Sequence, residues 1–236
     1  MPGAFIMWKR KKWILLMTVA ILTIAATEAV WGLTDFWRMT AQKEIVIMLD
    51  AGHGGGDPGA VSEMAVEKDL NLAIVKKLQG YLEEAGYTVY VTRIEDEGLY
   101  QEGDDNKKRA DMKERKRLIE ESNADLMISI HQNSYPDSRY WGPQVFFQKQ
   151  SPQAASLALL VQEMLNSFTA PENTREAKAN DSYFILLQSP MPAILVECGF
   201  ITNSQDAENL NSEAYQKKVA WGIYCGIEKY LQSDVF

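Results

Sequence analysis

Apolar and polar positions follow two rhythms along this chain. Near-continuous apolar runs, typical of strands buried on both faces, occupy residues 44–50 (EIVIMLD), 87–92 (YTVYVT), 125–130 (DLMISI) and 193–197 (AILVE), and 144–148 (QVFFQ) alternates. Between them the period lengthens. Leu70, Ile74, Leu78, Tyr81, Leu82 and Ala85 recur at helical spacing until Gly86 stops the helix, which Glu67 opens. Leu157, Leu160, Val161, Met164 and Leu165 follow Ser151 in the same way, and Val219, Ile223, Ile227 and Tyr230 form a last stripe. Alternating strands and helices of these lengths predict an α/β fold: a three-layer sandwich around a mostly parallel central sheet, with helices on both faces. The charged stretch 104–121 interleaves Lys, Arg, Asp and Glu, which predicts a loop leading into a solvated helix rather than a binding patch.

The ends of the chain differ in character. Lys9-Arg10-Lys11-Lys12 precede an apolar run from Trp13 to Ala26, the order of a secretory leader. Residues 1–27 are therefore expected to be a signal peptide or an N-terminal membrane anchor. The run is short for a full span, but tilt and the interfacial Trp31 and Trp37 would make an anchor workable. Residues 28–43 read as a spacer and 44–236 as one catalytic domain, exported to act outside the cytoplasmic membrane.

With 46% hydrophobic and 24% charged residues in 236, the chain can build one sizeable core. A net charge of -8 argues against nucleic acid as a partner, because phosphate backbones are held by clustered Lys and Arg. Cys198 and Cys225 raise the question of a disulfide in an exported protein. The reading preferred for both is a small buried hydrophobe, with Cys198 facing packing helices if its neighbour Glu197 faces a cleft.

The chemistry concentrates at the histidines. His53 sits in the glycine-rich segment LDAGHGGGDPGA (49–60) and His131 in ISIHQNS (128–134), each expected just past a strand end, where sites form in open α/β sheets. There are no others. With Glu67 they make two imidazoles and one carboxylate, a set suited to catalytic zinc with one open position, at about 2.0 to 2.2 Å from the metal. Zinc lowers the pKa of bound water towards about 7. A proton acceptor is still needed, and Glu197, costly to bury after four apolar residues without a partner, is the candidate catalytic carboxylate. Asp50 and Asn133 either orient a ligand or substrate or hold turns.

These segments resemble the zinc-dependent N-acetylmuramoyl-L-alanine amidases of type 3, from about Ile45 to Leu231. The similar elements are 49–60, EKDLNLAIVKKL from Glu67, Val91-Thr92-Arg93, ADLMISIHQNS (124–134) and MPAILVECGFITN (191–203). The resemblance implies one Zn2+ held by His53, Glu67 and His131, catalysis by Glu197, and hydrolysis of the amide between the muramic lactyl group and L-alanine in peptidoglycan. The short hydrophobic N-terminus, the charged stretch before Arg115, and Asn173-Thr174-Arg175 followed by Lys178 resemble the germination-specific amidases of spore formers. That implies removal of peptide stems in the spore cortex for muramic-δ-lactam formation, in the forespore intermembrane space; control would come from localisation, timing or an activator or metal-loading partner protein. Two positions depart from the family pattern: Glu120 stands where asparagine is usual, and Cys198 where a small residue is common. The rival functions are a zinc peptidase cutting within the stem and a non-catalytic, membrane-tethered peptidoglycan-binding module.

Overall fold

The computed structural model describes residues 44–236 and, before them, only Met17, Thr23, Thr27, Glu28 and Trp31. The leader and spacer expectations rest on residues outside those described. Among the described residues no helix is long and apolar enough to cross a membrane. The chain divides into a unit Met1–Glu44 and a unit Ile45–Phe236, and the architecture below is that of the second.

The apolar runs form strands β1 (Val46–Ala51), β2 (Thr88–Val91), β3 (Leu126–Asn133), β4 (Gln144–Gln148) and β6 (Ala193–Phe200), joined by a short β5 (Lys178–Asn180) that no pattern announced. Their order in the sheet is β2-β1-β3-β6-β4-β5. The first four strands in that order run parallel, and β4 pairs antiparallel with β6. The helices are α1 (Glu67–Glu84), α2 (Lys107–Ser122), α3 (Pro152–Thr169), α4 (Phe184–Gln188), α5 (Ser204–Asn211) and α6 (Glu213–Leu231). The sequence expectation of an α/β sandwich with a mostly parallel sheet is met.

Alternation along the strands divides the core in two, because successive side chains point to opposite faces. Ile47, Leu49, Ile128, Ile130, Ile194, Val196 and Cys198 pack with α1, α3 and α6. Met48, Met127, Ala193 and Leu195 pack instead with Ile119 of α2 and Ile185 and Leu186 of α4. By the same parity Asp50, His131 and Glu197 face the α2 and α4 side, where the covering layer is thinner. Both cysteines are free thiols, and Cys198 lies in the larger core, as a small hydrophobe would.

Several expectations need correction. The segment 104–121 does become a helix, but one face is not solvated: Arg115 and Ile119 are buried on it. β3 runs through His131 instead of ending before it, and β6 continues past Glu197 to Phe200. In both cases ladder pairing extends the strand beyond the apolar run, with His131 opposite Glu197 and Asn133 opposite Phe200. Ala85 is the exposed cap of α1, outside its buried stripe.

Two helical glycines separate packing from propensity. A Cβ on Gly226 of α6 would fall 2.5 Å from the Cα of Val161 in α3, whereas at Gly80 of α1 it would meet nothing within 4 Å. Helix propensity favours Ala over Gly by about 1 kcal/mol at either site. Gly80→Ala is expected to stabilise the protein by up to ~1 kcal/mol. Gly226→Ala is expected to lose about 1 to 3 kcal/mol, because overpacking against backbone outweighs propensity. Urea unfolding midpoints check both, and equal effects at the two sites would contradict this packing.

Candidate metal centre

The connection from β1 to α1 carries the first donor. His53 adopts φ 61°, a left-handed backbone rare for a residue with a side chain and costing roughly 1 to 3 kcal/mol. Two buried guanidinium groups hold the loop in that shape. Arg115 of α2 donates through Nη2 to the His53 carbonyl (2.5 Å) and through Nη1 to the Ala51 carbonyl (2.8 Å). Arg93 donates to the carbonyls of Ala51, Gly52 and Lys68 at 3.0, 3.1 and 2.8 Å. The loop thus keeps its carbonyls satisfied away from water, and its side chains are left to point into the cleft.

Asp50 anchors the clamp. It is 1% exposed and accepts hydrogen bonds from Arg115 Nη1 (2.5 Å), Thr92 Oγ1 (2.9 Å) and Ser129 Oγ (2.6 Å). Burial alone would raise its pKa, but the Arg115 charge and these donors hold the carboxyl below the usual 3.8. Asp50 therefore acts on His53 through Arg115 and touches neither imidazole by hydrogen bond. Asp111, one turn before Arg115, accepts a hydrogen bond from the Arg115 Nε–H at 2.7 Å and completes the pairing of that guanidinium.

Glu67, the first residue of α1, is 3% exposed and lies between the imidazoles. Its Oε1 is 3.2 Å from His53 Nε2 and 2.9 Å from His131 Nδ1, and accepts the Gln132 backbone N–H at 3.1 Å. Oε2 accepts the Ala60 backbone N–H at 2.7 Å. His53 Nδ1 is fixed from behind by Asp57 at 3.0 Å. A Cβ on Gly52 would overlap the His131 ring, so glycine is required for that imidazole to reach the site.

One donor atom each from His53, Glu67 and His131 lie within 4.8 Å of one another. The set fits a small divalent metal on three counts: two borderline nitrogen donors with one carboxylate oxygen, a carboxylate behind one imidazole that fixes its orientation, and a ring-accommodating glycine. Burial opposes an imidazolium at His53, yet the Glu67 and Asp57 carboxylates outweigh it and raise that group to about 9. For Glu67, burial is likewise outweighed by His131 and His53, which hold the carboxyl far below its ordinary value. A concentrated negative potential at this point favours any bound cation, and a metal competes there with a proton.

Glu197 stands directly opposite His131 in the β3–β6 ladder. Its Oε1 accepts from the Tyr183 hydroxyl at 3.3 Å, and its buried Oε2 has no hydrogen-bond partner. Burial, with the Glu67 charge added, pushes this carboxyl up to about 7. A group poised there can accept and return a proton near neutrality. These side chains line an open cleft of about 380 Å³, walled by Met112, Phe184, Ile185 and Leu195 and rimmed by Lys108.

The structure thus brings four of the sequence candidates, His53, Glu67, His131 and Glu197, to one cleft, with Asp50 beneath. Asn133 is used differently: its Oδ1 accepts the Ser134 N–H at 2.8 Å and its carbonyl accepts the Ile201 N–H at 2.8 Å, so it holds the turn after β3. Glu120 forms an exposed pair with Lys116 at 2.8 Å. Sequence reasoning missed Asp57, Arg93 and Tyr183 as parts of the site. The first two lay inside quoted motifs, while Tyr183 precedes a five-residue helix too short to show a period.

Comparison with known proteins places this geometry. Residues 47–229 match the N-acetylmuramoyl-L-alanine amidase family, Amidase_3. The chain is 33% identical over 230 residues to the germination-specific N-acetylmuramoyl-L-alanine amidase of Bacillus subtilis, covering 95% of this chain and 97% of that protein. Among solved structures, it is similar to the CwlD amidase of Clostridioides difficile in complex with the GerS lipoprotein (TM-score 0.79, 41% identity, 81% of this chain and 100% of that one). An N-acetylmuramoyl-L-alanine amidase from Clostridium difficile 630 superposes with TM-score 0.72 at 31% identity, over 82% of this chain and 100% of that one.

The clamp can be tested apart from activity. Arg115→Met leaves Asp50 charged, buried and unpaired, and is expected to cost about 3 to 5 kcal/mol near neutral pH. Because the folded Asp50 pKa lies below 3.8, its contribution is complete above that value and is lost as pH falls through the lower folded one. Losing Arg115 lets burial raise the Asp50 pKa in the variant, so urea unfolding of wild type and variant should show a gap that is widest at and above neutral pH and narrows as pH falls. A gap under ~1 kcal/mol at pH 7, or one that widens in acid, would contradict the clamp.

Proposed function

Because the chain belongs to the N-acetylmuramoyl-L-alanine amidase family and is an amidase acting on peptidoglycan, we propose that it is zinc-dependent and removes peptide stems from the spore cortex. The observation that carries the mechanism is the orphaned, buried Oε2 of Glu197, facing the same cleft as the His53, Glu67 and His131 donors. A carboxylate oxygen shut away from water without a partner is costly, and a proton from the attacking water would satisfy it.

His53, Glu67 and His131 would hold the zinc, which supplies Lewis-acid polarisation of the scissile carbonyl and an activated water at neutral pH. Glu197 takes the proton from the attacking water at Oε2 and returns it to the departing L-alanine nitrogen. Its neighbour Tyr183 keeps Oε1 occupied, so the proton is received and released at the other oxygen. Arg93 and Arg115 keep the His53 loop from relaxing while substrate enters. The apolar walls at Met112, Phe184, Ile185 and Leu195 exclude bulk water on one side of the reacting amide.

The biological setting is read from the relatives. The near full-length match to a germination-specific amidase supports a role in cortex maturation, by exposing muramic acid for lactam formation. The solved relative bound to a lipoprotein supports a membrane-associated activator or metal-loading partner for this chain. Residues 1–27 would deliver the domain 44–236 across the membrane, as signal or anchor, into the forespore intermembrane space.

Peptidoglycan digested with the full chain and zinc should release peptides beginning with L-alanine, detected by mass spectrometry, with release abolished by chelation and restored by zinc. Glu197→Gln should retain zinc while kcat falls by a factor of roughly 100 to 10,000. Cleavage within the stem would replace this reading with a peptidase, and near-normal kcat in Glu197→Gln would remove its proton-transfer role.

A further inference from the structure

Beyond the metal donors and Glu197, Arg175 is a cation held in a fixed orientation that has no use in the proposed mechanism. Arg175, in the segment between α3 and β5, stacks over the rings of Phe200 (4.7 Å) and Tyr140 (5.5 Å). Its Nε donates to the Trp141 carbonyl at 3.0 Å and its Nη1 to Gln144 Oε1 at 3.3 Å. Nη2 has no hydrogen-bond partner among the described residues, and the guanidinium forms no ion pair with any described carboxylate. Arg115, Arg117 and Arg139 all do.

Strand register places this group relative to the chemistry. His131 pairs with Glu197, and Glu197 with Gln144, so the three lie in one row across β3, β6 and β4. Directly paired residues project from the same face of a sheet, here the cleft face. Strands are spaced about 4.8 Å apart, so Gln144 lies roughly 10 Å from His131 along the row, with the Arg175 guanidinium bound to its far end. Phe200 pairs with Asn133 beyond a register shift in the β3–β6 ladder and supplies one of the two rings under the guanidinium. The rings and Gln144 fix the guanidinium plane, which lowers the entropy cost of using its free edge.

We propose that Arg175 is a specificity-determining residue that binds a carboxylate of the stem peptide, about three residues beyond the L-alanine whose amide is cut. An extended peptide advances at most ~3.5 Å per residue, so that stretch of stem spans the distance from the metal donors to Arg175. A guanidinium with one free edge matches a carboxylate better than a neutral amide. On an acidic protein, with a net charge of -8, Arg175 lies outside any ion pair among the described residues; its charge is felt by the buried Asp206 carboxylate, yet its free edge still selects for anionic stems.

This inference rests on the amidase reading, and the test separates the two. The full chain with zinc is given a muramoyl tetrapeptide with free stem carboxylates and, separately, the same molecule with those carboxylates converted to amides. Wild type should cleave both at the muramoyl–L-alanine bond, with kcat/KM roughly tenfold or more higher for the free acid, mainly through KM. In Arg175→Gln that preference should collapse towards unity, and Arg175→Lys should keep part of it. Equal kcat/KM on the two substrates in wild type would overturn the carboxylate subsite while leaving the amidase intact, whatever the variants do. A preference that survives in Arg175→Gln would overturn the assignment to this residue. Cleavage of neither substrate at that bond would overturn the amidase reading and the subsite with it.

Discussion

One buried carboxylate, that of Glu67, sets the conditions for the rest of the site. A carboxylate almost wholly removed from water must find donors or a cation, and Glu67 is offered two backbone N–H groups and two imidazoles at once. Those four contacts come from the β1–α1 connection, where Ala60 and His53 lie, and from β3. Meeting its needs therefore fixes the start of α1 against the ends of two parallel strands. The helix N-terminus adds favourable potential at the same point. What remains is an arrangement in which a divalent metal serves the carboxylate better than a single proton can.

The supporting layer follows from that constraint. His53 can face Glu67 only with its backbone in the left-handed region, and that shape persists because Arg93 and Arg115 occupy the carbonyls around it. Arg115 in turn is tolerable in the interior only because Asp50 and Asp111 neutralise it. A chain of buried charge pairs thus runs from the sheet to the metal donors. Buried pairs are poor sources of net stability, so this chain is better understood as fixing position. The larger apolar core beneath α1, α3 and α6 supplies the stability that permits it.

Much of this was legible in the sequence, and the limits have physical causes. Apolar runs with glycine and proline boundaries announced the long strands, and 3.6-residue periodicity announced α1, α3 and α6. Two histidines without competitors pointed to one site, and the isolation of Glu197 after four apolar residues marked it as a buried charge in need of a purpose. Strand ends were misjudged because His131 and Glu197 are polar residues held in the ladder by their neighbours, which no local pattern encodes. Arg115 looked solvated because its helix is charged on nearly every face, and its burial depends on Asp50, 65 residues away. Tyr183 and Arg175 sit in irregular segments, where only tertiary packing shows what they touch.

The central claim is that His53, Glu67 and His131 together form a zinc site without help from either cysteine. The most direct measurement is metal content combined with X-ray absorption spectroscopy at the zinc edge on the purified, zinc-loaded chain. The account predicts one zinc per chain with nitrogen and oxygen ligands at about 2.0 to 2.2 Å and no sulfur in the first shell. A zinc–sulfur distance near about 2.3 Å, or zinc binding that survives replacement of His53, Glu67 and His131 by alanine, would contradict it.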